Sequence, residues 1–353
     1  MQKNRRVPFT VSLFGAFCIT SSAFAHHGTV ANGALYLTES LLEFEGEIVE
    51  VLWRNPHARA RMSVIDPNGE EKVWELELGP TPRELENQDL YADDFLGRVR
   101  VAGYQSRRDP NEIGAMHILL PSGEELIRSR SAGPLWSDTR VPEGTENLDP
   151  SRVAEARRAA NGIFRVWGPR LLSRPTAADF ETQFTDRGRA LLAQFNAVTD
   201  NPELECRTGV VPSMMDPNAL EIVDEGDRII IHAEEYNVRR TVYLDFEAGG
   251  VEPIPSTYGF SVGHWEDDVL TVTTTHMDYP LMLPDGVPHS DQVELFESFS
   301  ISDDQTMLNY SVTVTDPVVF TEPVTIERQR RWNPGYEILD FDCVLSWIGE
   351  EGD

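Results

Sequence analysis

After Cys206 the chain leaves itself few ways to fold. The segments "ALEIVDE", "RIIIHAEE", "RRTVYLD", "GFSVGHWE", "VLTVTTTHM", "VELFESFSIS", "MLNYSVTVT", "VTIERQRRW" and "EILDFDCVL" follow one another at hairpin spacing, separated by "GD", "DD" and "DDQT" turns. Each is rich in β-branched and aromatic residues and many alternate apolar with polar positions, the pattern of half-buried strands. An open sheet of this length would expose long edges, so the run is expected to close into a barrel. Roughly eight to ten strands leave room inside for a small molecule. The expected architecture is therefore a lipocalin-like antiparallel β-barrel with one or two helices. Upstream of it, "GIFRVWG" reads as a further strand, and "TAADFETQFTDRGRALLAQF" has apolar residues at helical spacing with Thr176 as its cap.

The first half of the chain carries a second, shorter strand pattern. "LEFEGEIVEVLW", "ARARMSVI", "KVWELEL", "RVRVAGYQS" and "AMHILL" are β-forming, with "DPNGE" a turn between the second and third. Between the third and fourth lies "TPRELENQDLYADDF", where Thr81 can cap a helix, Pro82 suits its first turn, and Glu84 completes a capping box. Five strands with a helix after the third is the order of an OB-like barrel. The stretch 129–150 is rich in Pro, Gly, Ser and Asp and reads as a linker. The expected organisation is a signal peptide over 1–25, the OB-like barrel over 26–128, the linker, and the large barrel over 151–353.

The signal is read from a basic start at Lys3, Arg5 and Arg6, the apolar run "VPFTVSLFGAFCIT", and Ala23-Phe24-Ala25 before the cut. Cleavage after Ala25 would deliver the chain to the periplasm or the medium. There the two remaining cysteines, Cys206 and Cys343, are expected to pair. Closing so long a loop restricts the unfolded chain by about 5 kcal/mol in the chain-entropy picture. The net charge of −29 argues against nucleic acid and against anionic membranes as partners. After the signal, no apolar run reaches membrane length.

"AHHG", "GEIVEVLWRNPHARARMSVIDPNGEEKVWELELG" and "VRVAGYQSRRDPNEIGAMHILLPSGEEL" together resemble a family of exported proteobacterial proteins of unknown function. Its members open with His-His after the signal, carry a Trp-x-Asn-Pro-His motif, and end the domain in a Leu-Pro-x-Gly turn. The resemblance covers about residues 26–128. The second half is similar to a barrel domain often joined to it, through "NGIFRVWGPR", "RTVYLD", "GFSVGHWEDDVLTVTTT", "VPHSDQVELFESF" and "VTVTDP". In those relatives the segment beginning at Ser261 reads Ser-x-Gly-Arg-Trp-Glu-Gly-Asp; here His264 replaces the Arg and Asp267 the Gly. The resemblance implies an exported two-barrel protein and no particular reaction.

Candidate chemistry falls in two places. If the mature chain begins at His26, its amine and imidazole could hold a copper ion in a histidine brace, with His57 as the third nitrogen donor and His27 or His117 as substitutes. In the large barrel His232, Glu234 and Tyr236 share one face if no bulge intervenes. His276 and His289 flank the apolar loop "MDYPLMLPDGVP". His232, Tyr236, His264, His276, Tyr279 and His289 are thus the candidate ligand-binding residues, and His232, His276 and His289 the candidate acid-base groups. "GFSVG" matches a nucleophile elbow around Ser261, but a strand follows it where the elbow requires a helix. The reading that fits best is binding of a small apolar or aromatic molecule inside the large barrel. Its rivals are an enzyme, copper-dependent or cofactor-free, and a docking subunit of a periplasmic complex.

Overall fold

The computed structural model describes residues 33–129, 132–144, 146, 148–170, 175–207, 211–215, 218–244 and 252–344. The expected signal peptide, His26 and His27 lie outside them.

The first barrel forms from β1 (Leu42–Leu52), β2 (Arg59–Ile65), β3 (Glu71–Glu77), β4 (Gly97–Gln105) and β5 (Glu112–Leu119). Strand β1 lies between β2 and β4, β4 pairs with β5, and a parallel pairing of β3 with β5 closes the ring. That is the OB order. Helix α1 (Pro82–Glu86) begins at Thr81 with the expected reciprocal capping box to Glu84, and its Leu85 is fully buried. Alternation along the strands sends Ile48, Met62, Leu76, Val99, Val101 and Ile113 into one apolar core. Between Ala102 and Gly103 the β4–β5 register slips by one residue, and a Cβ on Gly103 would meet the Gly114 carbonyl oxygen at 2.2 Å. Only glycine permits that approach.

A short sixth strand, β6 (Glu125–Ile127), adds to β5. The fully buried Glu125 carboxylate then gathers the segment that follows, accepting from the backbone N–H of Leu135, Trp136 and Ser137 and from His117 Nδ1 at 2.8 Å. Part of the Pro- and Gly-rich stretch is thereby tied down on the first barrel.

Helix α2 (Pro150–Ala159) leads into the second barrel, built from β7 (Val166–Arg170), β8 (Leu220–Asp224), β9 (Arg228–Ala233), β10 (Val238–Leu244), β11 (Phe260–Glu266), β12 (Val269–Thr275), β13 (Glu294–Ile301), β14 (Met307–Thr315) and β15 (Val324–Trp332). Each strand lies beside the next in sequence, and β15 returns to β7. The expected ring is there, with one correction to its all-antiparallel character: β10 and β11 run parallel. Every antiparallel neighbour reverses direction, so a closed ring of odd number must contain a parallel pair. A parallel pair cannot be joined by a tight hairpin, and 15 residues separate Leu244 from Phe260 in the sequence.

The expected helix after Thr176 is broken into a 3₁₀ turn, Ala177–Phe180, and α3 (Asp186–Leu192), which Thr185 caps afresh. Phe184 between them is held by a backbone bridge to Phe320, which interrupts the helical ladder. "EILDFDCVL" was expected as a strand of the ring; instead residues 337–344 run as a strap onto the first barrel. Asn55 bridges Cys343, donating its N–H to the Asp342 carbonyl at 3.1 Å and accepting from Val344 N–H at 2.7 Å. Cys343 is bonded to Cys206, as expected.

The second barrel encloses a large apolar core. Leu270, Val272, Leu295, Phe299, Val312 and Trp167 are all fully buried there. At its centre Arg240 is ion-paired with Glu297 and donates to Ser261 Oγ at 3.0 Å and Thr274 Oγ1 at 2.7 Å; Tyr310 donates to Glu297 at 3.0 Å. One side chain from each of five neighbouring strands completes the network. Both charges are buried, and each has partners for its polar atoms, the condition under which a buried pair is tolerated. Ser261 is therefore a structural hydroxyl inside a β-strand. Among the described residues no helix is long and apolar enough to cross a membrane.

Candidate functional site

The outer face of the first barrel carries charges that alternation turns away from its own core. Arg59 opens β2, Glu77 closes β3 directly opposite it, and Glu112 opens β5. On a free barrel these three would be solvated. Here they are buried, because Tyr36 packs over them from the segment before β1 and the second barrel's connections close the far side. The result is a cleft at the junction of the two barrels with about 750 Å³ of empty space, solvent at its mouth included.

One wall comes from the first barrel: Pro56 and His57 from the β1–β2 loop, Arg59, Glu77 and Glu112 from the strands, and Ser106 and Arg108 from the β4–β5 loop. The other comes from three pieces of the second half. They are Asn201, Glu203 and Leu204 around the 3₁₀ turn Pro202–Glu205, then Glu235 and Tyr236 after β9, then Val344. The disulfide joins the first and third of these pieces, since Cys206 ends the turn and Cys343 precedes Val344. Leu35 and Tyr36 pack against Leu204, Ala197 and Val198 across the junction.

Glu77 organises the polar part. Its Oε2 accepts from the Tyr36 hydroxyl at 2.6 Å, and its Oε1 takes His57 Nδ1 at 2.8 Å and Arg128 Nη1 at 3.4 Å. Arg59 Nη2 donates to Glu112 Oε1 at 2.5 Å and lies 3.6 Å from Glu75. Burial works to raise the Glu77 carboxyl, but its contacts with His57, Arg128 and Arg59 outweigh it and hold the group well below the usual carboxylate range. Burial, with Glu77 and Glu112 close by, pushes the Tyr36 hydroxyl well above the usual phenol range. Glu77 is thus ionised and Tyr36 protonated at neutral pH.

An ionised carboxylate can only accept, so the hydrogen-bond network assigns the shared proton to His57 Nδ1. The ring's other nitrogen, Nε2, has no hydrogen-bond partner among the described residues. In the neutral ring Nε2 is an acceptor, on a side chain that lines the cleft and keeps 20% of its surface exposed.

Of the residues singled out in the sequence, the cleft brings together two, His57 and Tyr236. The expected face shared by His232, Glu234 and Tyr236 does not form. Strand β9 ends at Ala233, and the turn that follows places Tyr236 and Asn237 at positive φ, which breaks the alternation. Glu234 instead accepts from the Tyr336 hydroxyl at 3.1 Å and the Leu339 N–H at 3.2 Å. His232 points out of the barrel, where burial and the neighbouring Arg239 lower its pKa. His264 and His276 are exposed, the latter hydrogen-bonded to Thr275 Oγ1 at 2.8 Å. Tyr279 is buried in the apolar core. His289 is half-buried, its Nδ1 donating to the Ser290 carbonyl at 3.0 Å, and burial lowers its pKa.

None of the candidate acid-base groups His232, His276 and His289 lines the cleft. His117, a substitute in the copper reading, is committed to Glu125. Among the described residues no three of His, Cys, Asp and Glu are grouped to hold a metal ion. Sequence reasoning missed Tyr36, Arg59, Glu77, Glu112 and Arg128. The only available signal was a charged residue at the tip of each of three neighbouring strands, which solvated strand ends display as well.

Residues 15–114 match a family described as of unknown function, DUF6152, so less than half of the chain is similar to it. No curated protein matches the chain.

Proposed function

We propose that this chain is an exported binding protein for a small, partly aromatic molecule, and that the ligand sits in the cleft between the two barrels. One observation carries the reading. The cleft falls on the β2–β3 face of the OB-like barrel and between its β1–β2 and β4–β5 loops, the surface that OB folds use for their ligands. This part of the argument is analogy at the level of the fold.

The chemistry of the walls supports it independently. Buried, mutually paired polar groups lie beside Leu35, Pro56, Leu204, Val344 and Tyr236, a mixture that suits a small molecule with an apolar body and few polar atoms. Oligonucleotides, the usual cargo of such barrels, are disfavoured by the net charge of −29. The disulfide is compatible with an oxidising, exported location.

The test is native mass spectrometry of the protein after equilibration with a lipophilic metabolite extract, alongside Leu204→Trp, which fills the cleft from one wall. We expect a species retained by the wild type at unit stoichiometry and reduced at least tenfold in the variant. Equal retention by both proteins would place the ligand elsewhere, and no retained species would remove the reading altogether.

A further inference from the structure

We infer that the cleft selects ligands bearing a neutral hydroxyl on an aromatic ring, and that His57 Nε2 accepts the hydrogen bond from that hydroxyl. The inference rests on the proposed binding role and adds the chemical class of the ligand.

Three features of the site lead there. First, His57 is not a rotating surface ring. Its loop is pinned on both sides, by Asn55 hydrogen-bonded to the strap at Asp342 and Val344, and by Ala58 N–H donating to the Pro80 carbonyl at 3.2 Å. Its Nδ1 is locked on Glu77. A fixed ring whose inner nitrogen donates to a buried carboxylate presents its outer nitrogen at a set place, as a hydrogen-bond acceptor.

Second, that acceptor asks for a donor, and the surroundings decide which kind. A ligand carboxylate would bring a lone pair against Nε2 and a second negative charge near Glu77 and Glu112. An ammonium would be drawn to the carboxylates that line the cleft, Glu77, Glu112, Glu203 and Glu235, rather than to Nε2, and stripping its water is costly. A neutral hydroxyl meets neither penalty, and a phenol is the stronger donor among neutral hydroxyls.

Third, apolar surface flanks the ring. Pro56 precedes His57 in the same loop, while Leu204, Val344 and Tyr236 stand on the opposite wall. A flat aromatic body between them would bury area while its hydroxyl reaches the imidazole.

The probes are 2-naphthol and its methyl ether, 2-methoxynaphthalene, which have the same ring system and differ in the donor. Binding is read by fluorescence titration at pH 8. We expect the wild type to bind the naphthol several-fold to about tenfold more tightly than the ether, the usual worth of one hydrogen bond. In His57→Phe, which keeps a ring but no acceptor, that ratio should fall to about one. Tyr236→Leu should weaken both probes together and leave the ratio unchanged. Because His57→Phe strips a partner from Glu77 and could disturb the fold, the tautomer is read separately on the wild type by ¹⁵N NMR. Nε2 should resonate as an unprotonated nitrogen, and a proton on Nε2 rather than Nδ1 overturns the inference.

Equal affinity of the wild type for the two probes also overturns it, while leaving the cleft as a binding site. If neither probe binds, the hydroxyl-selective site is refuted, and retention in the Leu204→Trp experiment then shows whether the cleft itself still holds a ligand.

Discussion

Glu77 and Glu125 show how much of this protein rests on single buried carboxylates. Each lies in a place that costs solvation and is recovered by donors: His57, Arg128 and Tyr36 for Glu77, and the backbone N–H groups of Leu135, Trp136 and Ser137 with His117 for Glu125. For both, burial works against ionisation and the donors win, so the carboxyls are held below the usual range. A group with a depressed pKa in the folded chain stabilises it above its unfolded value, about 4.3 for glutamate, and loses that contribution as the pH falls through the folded value. Urea unfolding should therefore show a free energy that declines from pH 5 toward pH 2. Glu125→Gln should be less stable than the wild type at pH 7 and should lose less on acidification. An identical slope in the variant would mean that Glu125 titrates alike in both states.

At the scale of elements, the strap over residues 337–344 links the two barrels. It is held to the first by Asn55 and by an ion pair of Arg54 with Asp342 at 3.1 Å, and to the second by Asn237, whose side chain accepts from Phe341 N–H at 2.9 Å. Arg83 of α1 stacks 3.8 Å over Tyr336 and donates to the Glu337 carbonyl at 3.1 Å. The disulfide then spans 137 residues to tie the strap to the turn that forms the cleft's other wall. Replacing both cysteines by serine should lower the unfolding free energy by about 2–5 kcal/mol, read by chemical denaturation with and without reductant. Hydrogen exchange at Asn55 and Val344 should rise in the same variant. Unchanged protection there would show that the backbone bridge holds the strap without help.

For the whole molecule, a net charge of −29 at neutral pH means self-repulsion, which destabilises a compact state. Added salt shortens the screening length from about 30 Å at 0.01 M to about 10 Å at 0.1 M. The melting temperature should therefore rise by a few degrees, on the order of 2–5 °C, between 0.01 and 0.5 M sodium chloride. A flat response would indicate that surface pairs such as Arg98–Glu45 and Arg152–Glu337 already offset the excess locally.

What sequence alone determined here is what short-range physics encodes. Strand alternation, the Thr81–Glu84 capping box and the Asp66–Gly69 turn are settled by neighbours a few residues apart, so both barrels and the order of the first were legible. The pairing of Cys206 with Cys343 was legible because only two cysteines remained to pair. Tertiary structure decided the rest. Alternation says which residues share a face, but not whether that face is wet, so Arg59, Glu77 and Glu112 looked like solvated strand ends until the second barrel covered them. His232 seemed a candidate for the lumen for the same reason, since nothing local distinguishes inside from outside. The parallel β10–β11 pair follows from ring closure, and the buried pairing of Arg240 with Glu297 from long-range packing, contacts that no window of neighbouring residues contains.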